Sequence, residues 1–225
     1  MLNPEDIRKI AEWGDGCAQI LLGFMAENGL LIAQDEATAQ EWYTLAGKNG
    51  EALGLFLLAR ILARKEEEDK AESCLQKAAE LGYPPAALAL GMYYLKSGRK
   101  KEAFRFIASA VDWGYLPAFS KLARMYNEGI GVVLNVKKAE QILRQGAENG
   151  ESFCADSLAR LLLTEEASQD QIVEGLRWAE EAARKGNVMA CVALSRIYGV
   201  GQYGVPVNTE LSQTFGELAR KFMTV

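Results

Sequence analysis

Small and large apolar residues recur along this chain in one long rhythm, and glycine closes each beat. Gly14, Gly50, Gly82, Gly114, Gly150 and Gly186 each end an alanine-rich, helix-like stretch, at successive spacings of 36, 32, 32, 36 and 36 residues. A fixed period of about 20–50 residues marks a repeat array. Four residues past each glycine stand Ala18, Gly54, Ala86, Ala118, Cys154 and Ala190, all small. Eight past stand Leu22, Leu58, Leu90, Leu122, Leu158 and Leu194, without exception. Nine past stand Gly23, Ala59, Gly91, Ala123, Ala159 and Ser195, and twelve past stand Ala26, Leu62, Tyr94, Tyr126, Leu162 and Tyr198. Positions four, eight and twelve share one helix face. The spacing therefore predicts a first helix, helix A, whose leucine anchors the core. Its small neighbours let another helix approach closely.

A second helix, B, precedes the next glycine. Eleven residues before it come Ala39, Ala71, Ala103, Ala139 and Gly175; eight before come Trp42, Cys74, Phe106, Ile142 and Trp178; four before come Ala46, Ala78, Ala110, Gly146 and Ala182. Ser212, Phe215 and Ala219 continue these columns at the end of the chain. The expectation is a single domain over 1–225 made of six helix pairs: 15–50, 51–82, 83–114, 115–150, 151–186 and 187–225. Residues 3–13 match only a B helix and read as an N-terminal cap, with Asn3 as its N-cap and Pro4 at the first helical position. Each closing glycine suits the residue after a helix end, where a left-handed backbone carries little penalty without Cβ. Pro84, Pro85 and Pro117 follow such stops, where the next helix begins. The A–B turn is Asn127–Asn135 in the fourth repeat and four residues shorter in the second and third.

Composition narrows the function more than the fold. The 225 residues are 49% hydrophobic and 24% charged, as in a folded chain. The net charge of −5 weighs against nucleic acid or an anionic membrane as partner. The sequence has no histidine, which removes the usual general base and the usual zinc or iron ligand. Cys17, Cys74, Cys154 and Cys191 form no C-x-x-C pair and no two share a repeat, so they read as free thiols. No metal, cofactor or catalytic residue is expected. The N-terminal residues lack a basic region followed by an apolar core, and no apolar run approaches the ~20 residues of a membrane span. A cytoplasmic location is the expectation.

The columns resemble the Sel1-like repeat, a relative of the tetratricopeptide repeat. The family pattern is roughly A-x-x-x-L-G-x-x-Y-x-x-G-x-G-V-x-x-D-x-x-K-A-x-x-W-Y-x-K-A-A-x-x-G. The fourth repeat comes nearest, with Ala118, Leu122, Tyr126, Gly129, Gly131, Val132, Asn135, Lys138, Ala139, Ala147 and Gly150. The first supplies Ala18, Leu22, Gly23, Gly29, Asp35, Ala39, Trp42, Tyr43, Ala46 and Gly50. The resemblance covers about residues 15–223; repeats two and three lose the G-x-G-V turn and look closer to tetratricopeptide hairpins. It implies an all-α, right-handed solenoid superhelix of antiparallel helix pairs. It also implies a non-enzymatic adaptor, scaffold or regulator that binds another protein. Some bacterial members neutralise toxins or attend secretion, so an immunity protein or chaperone for a toxin or secreted effector is the alternative. A subgroup with a disulfide in each repeat binds or cleaves β-lactams. This chain lacks those paired cysteines, and β-lactam binding or serine hydrolysis stays a distant alternative.

Chemical motifs resolve mostly into repeat architecture. Gly199–Gly204 spells G-x-G-x-x-G but follows a helix rather than a strand, so it reads as an A–B turn. Ser97 and Lys100 spell S-x-x-K without the companion S-D-N and K-T-G motifs and read as a turn with an exposed lysine. The charge runs Lys65–Lys70 and Arg99–Lys101 lie in adjacent turns, where mutual attraction is worth well under ~1 kcal/mol per exposed pair. Tyr94, Tyr126 and Tyr198 read as core by periodicity, as do Trp42 and Trp178; Trp13 and Trp113 are expected to be partly exposed.

The most informative surface column lies ten residues past each glycine: Phe24, Arg60, Met92, Arg124, Arg160 and Arg196. Arginine offers planar, bidentate recognition of carboxylates. One reading is a concave helix-A groove for an acidic or carboxylate-bearing protein segment, with Phe24, Phe56 and Met92 as apolar contacts. The other is internal pairing of the arginines, for example with Asp156 or Glu128.

Overall fold

The computed structural model describes residues 3–224, and among them every regular element is helical. In chain order they are α1 (Pro4–Glu12), α2 (Gly16–Asn28), α3 (Glu36–Lys48), α4 (Ala52–Arg64), α5 (Glu68–Glu80), α6 (Pro84–Lys96), α7 (Lys100–Asp112), α8 (Leu116–Glu128), α9 (Val136–Glu148), α10 (Ser152–Leu162), α11 (Gln169–Arg184), α12 (Val188–Val200) and α13 (Thr209–Met223). A short 3-10 turn, Gln202–Gly204, follows α12. The chain divides into two compact units, Met1–Trp113 and Gly114–Val225. Within each unit every helix packs on the next one along the chain, the nearest-neighbour arrangement of a solenoid. The even-numbered helices are the A helices of the sequence pattern; the odd ones from α3 onward are the B helices.

The leucine column is the reason the hairpins hold. Leu22, Leu58, Leu90, Leu122, Leu158 and Leu194 are all buried, none more than 7% exposed. Full burial of such a side chain is worth roughly 1.5–3 kcal/mol against leaving it in water. Around it the small residues set the helix spacing. A Cβ on Gly54 would lie 2.7 Å from the Ala46 Cβ and 3.2 Å from the Gly47 backbone nitrogen, so α3 and α4 touch almost backbone to backbone.

The helix ends follow the expected chemistry. Asn3 caps α1 by accepting a 2.9 Å bond from the Asp6 N–H, with Pro4 at the first helical position. The six repeat-closing glycines have φ between 74° and 96°, the left-handed region. The long A–B turns open on Gly29 and Gly129, both left-handed at φ 67°. Two residues on, the fourth repeat has Gly131 at φ 69°, whereas the first holds Leu31 at φ 62°.

Some aromatic columns are less buried than their periodicity predicts. Tyr94 and Tyr198 are core, but Tyr126 and Trp42 are half-buried. The buried tyrosines still need a partner for the hydroxyl. Tyr43 donates to Glu27 (3.0 Å), Tyr94 to Glu72 (2.8 Å) and Tyr198 to Glu180 (3.0 Å). Trp13 and Trp113 are exposed.

Candidate functional site

In the second unit α8 and α10 lie side by side over α9, and between them runs an open groove of about 460 Å³. Its floor is apolar: Ala123 from α8, and Ala139 and Leu143 from α9, all buried. Phe153, 62% exposed, and Leu161 of α10 form an apolar lip. Ser120, Lys121, Arg124, Asn127 and Glu128 line it from α8, and Ser157 and Arg160 from α10. The helical repeat puts Ser120, Arg124 and Asn127 on one α8 face, and Phe153, Ser157 and Arg160 on one α10 face.

The two arginines differ in what they already hold. Arg160 pairs at 3.0 Å with Asp156, one turn earlier on α10. Asp156 is buried, and burial pushes its carboxyl above the usual value while the Arg160 charge opposes that rise. Arg124 is exposed and makes no ion pair or hydrogen bond among the described residues, Glu128 included; Lys121 likewise has none. An unpaired guanidinium above an apolar floor can take a carboxylate in two parallel hydrogen bonds while the floor receives a neighbouring apolar side chain.

The other members of the surface column are placed as follows. Arg196, on α12 in the second unit, is exposed and unpaired among the described residues, and it does not line this groove. In the first unit Arg60 is neutralised by Glu27 at 2.7 Å. Glu27 also accepts from Arg64 (3.0 Å) and Tyr43. Burial raises the Glu27 carboxyl, but these donors outweigh it and hold the group below its usual value. Phe24 and Met92 are exposed. Phe56 is half-buried, its ring edge-on to Tyr83 at 5.4 Å. Arg124 and Arg160 are thus the pair that one groove brings together.

Lys121, Ser157 and Phe153 carry no signal in the repeat columns. They lie seven and three residues past the stop glycine, where the six repeats carry no common residue type. The remaining motifs fall at helix ends. Ser97 ends α6 and its hydroxyl donates to the Tyr94 carbonyl (3.3 Å), while Lys100 opens α7. The G-x-G-x-x-G stretch ends α12 and enters the 3-10 turn. No ion pair among the described residues joins the runs Lys65–Lys70 and Arg99–Lys101 directly; each meets a residue beside the other, Glu68 with Lys96 of α6 (3.9 Å) and Arg99 with Glu72 of α5 (2.8 Å). Among the described residues no cluster of acidic or cysteine side chains could hold a metal ion, and no helix is long and apolar enough to cross a membrane.

Helical hairpins closed by left-handed glycines and packed neighbour on neighbour define an α-solenoid scaffold of the kind used for protein–protein interaction. The Sel1 repeat model matches residues 18–51, 52–83, 120–151, 158–187 and 188–219, and the chain belongs to the Sel1 repeat family. No curated protein sequence matches it. Among solved structures, a Sel1 repeat protein from Oxalobacter formigenes is 24% identical with a TM-score of 0.81, covering 97% of this chain and 99% of its own. A protective antigen of uropathogenic Escherichia coli strains, displaying an SLR fold, is 24% identical with a TM-score of 0.82; this chain spans 97% of itself but 48% of that protein. An immunity protein from Pseudomonas aeruginosa is 18% identical with a TM-score of 0.59, over 92% of this chain and 82% of that one. At these identities the likeness is one of fold.

Proposed function

We propose that this chain is a non-catalytic protein-binding module whose second unit takes a carboxylate-bearing segment of a partner protein in the groove between α8 and α10. The observation that carries the reading is Arg124, an unpaired guanidinium on the wall of an apolar-floored groove. Phe24, Met92 and Arg196, exposed on their own A helices, are candidates for further contacts; Arg60 and Phe56 already hold internal partners. The test is affinity capture from the native lysate with the wild-type chain and with Arg124→Glu/Arg160→Glu, after circular dichroism has confirmed that both are folded. The expected result is a small set of partners that wild type captures at low salt, that the double variant loses, and that high salt releases. Unchanged capture by the folded double variant would overturn the groove as the binding surface.

A second reading is an immunity protein or chaperone that sequesters one toxin or effector. It is favoured by the fold shared with the Pseudomonas aeruginosa immunity protein. Calorimetry with the captured partner separates the two: a single stoichiometric complex of nanomolar or tighter affinity fits sequestration, and several micromolar partners fit a general adaptor.

A further inference from the structure

Asp156 is a charge that the fold does not ask for. Six residues past the stop glycine the other A helices carry Ile20, Phe56, Leu88, Ser120 and Val192; α10 alone has an acid there. That acid is 5% exposed. A buried carboxylate weakens a fold unless something pairs with it, and an apolar residue of similar size serves packing at least as well. Arg160 is its one ion-pair partner among the described residues, and the Arg160 side chain is 64% exposed. The pair therefore joins a fixed, buried anion to a cation that faces the groove.

The consequence is a charge count. Lys121, Arg124 and Arg160 against Glu128 would give the groove a formal +2, and Asp156 behind Arg160 lowers it to +1. Arg124 stays open to an anion, whereas the Arg160 guanidinium is already committed to a carboxylate. Resting on the groove as the binding surface, we infer that Asp156 sets its charge selectivity: by neutralising Arg160 it restricts the groove to a partner segment with one carboxylate, seated at Arg124 beside an apolar side chain. Segments with paired acids gain little from their second charge, because Asp156 already occupies the cation that would receive it. Burial of Asp156 beneath its partner keeps that carboxylate out of reach of a competing cation. Asp156 acts through Arg160 and is a positioning residue for selectivity, with no contact to the bound segment required.

A randomised dodecapeptide library displayed on phage tests this, panned against the whole chain in four forms: wild type, Asp156→Asn, Arg124→Gln and Asp156→Asn/Arg160→Gln. Asp156→Ser, which copies Ser120 at the same column of α8, is the second variant should Asn destabilise α10. Wild type is expected to enrich peptides with a single Asp or Glu near an aromatic or aliphatic residue. Asp156→Asn is expected to shift enrichment to paired acids and to bind a synthetic diacidic peptide from that pool about fivefold tighter than wild type does, with a steeper salt dependence. The double variant, lacking the freed guanidinium, is expected to return to the wild-type preference, which a merely structural role for Asp156 would not produce. Equal acid content in the wild-type and Asp156→Asn pools, with the acid preference still lost in Arg124→Gln, would overturn this inference and leave the groove reading standing. Absence of acid enrichment in wild type, or its persistence in Arg124→Gln, would overturn both.

Discussion

Leu31 shows how a single residue departs from the repeat that surrounds it. It is 80% exposed and sits at φ 62°, where the fourth repeat has Gly131 at φ 69°. For a residue with a Cβ the left-handed conformation costs roughly 1–2 kcal/mol. Glycine removes that strain but gives back part of the gain through its larger unfolded-state entropy, roughly 0.5–1 kcal/mol. Leu31→Gly is therefore expected to stabilise the chain by about 0.5 kcal/mol, read as a rise in the urea midpoint at constant slope. Leu31→Ala keeps the Cβ and the strain and removes little buried surface, so its midpoint should stay near wild type. A Gly variant no more stable than the Ala variant would show that the turn is not strained at this position.

Between elements, the deciding quantity is how closely the helices of adjoining hairpins approach. Gly54 on α4 faces Ala46 and Gly47 on α3, and a methyl group there would sit 2.7 Å from the Ala46 Cβ and 3.2 Å from the Gly47 nitrogen. In an isolated helix, glycine to alanine gains about 1 kcal/mol of propensity. Overpacking of a rigid contact costs about 1–3 kcal/mol, and here the contact includes backbone that cannot rotate away. Gly54→Ala is accordingly expected to destabilise, by about 1 kcal/mol net. Ala46→Gly/Gly54→Ala restores the room and should recover part of that loss, so a double-mutant cycle by chemical denaturation isolates the contact. The same geometry recurs in the second unit, where a Cβ on Gly146 of α9 would lie 2.5 Å from the Sγ of Cys154 on α10, the small residue four past Gly150.

For the molecule as a whole, the helices, their stop glycines and the leucine anchors were legible in the sequence because each is a local choice repeated at a fixed period. The exposed arginine column was legible for the same reason, and so was Arg160 with Asp156, four residues apart on one helix. Arg60 with Glu27 was not, because 33 residues separate them and the contact depends on how α2 and α4 are juxtaposed. Nor was the groove, whose floor joins α8 to α9 and whose lip includes Phe153, a residue with no counterpart in its column. The charges so placed give α2–α4 of the first unit and α10 of the second opposite responses to acid. In the first unit Glu27 is held below its usual value, and Asp35, Glu67 and Glu102 lie below theirs through hydrogen bonds to their ionised forms. The stability they confer is present above the ordinary carboxylate range, near pH 4, and is lost as pH falls through their lowered values. In the second unit Glu174 behaves the same way, held down by Arg144, but Asp156 is raised by burial and acts in reverse. Its penalty is present above its raised value and vanishes as pH falls toward the ordinary one, so mild acid relieves α10. Native-state hydrogen exchange, corrected for intrinsic rates, is expected to show protection in α2–α4 falling between pH 6.5 and about 3.5, while α10 holds or gains. Asp156→Asn, which has no carboxyl to protonate, should remove the gain in α10 and leave the response of α2–α4 unchanged. A uniform loss across both units in wild type would mean that the buried Asp156 carboxyl titrates like an exposed one, and that Arg160 fully offsets its burial.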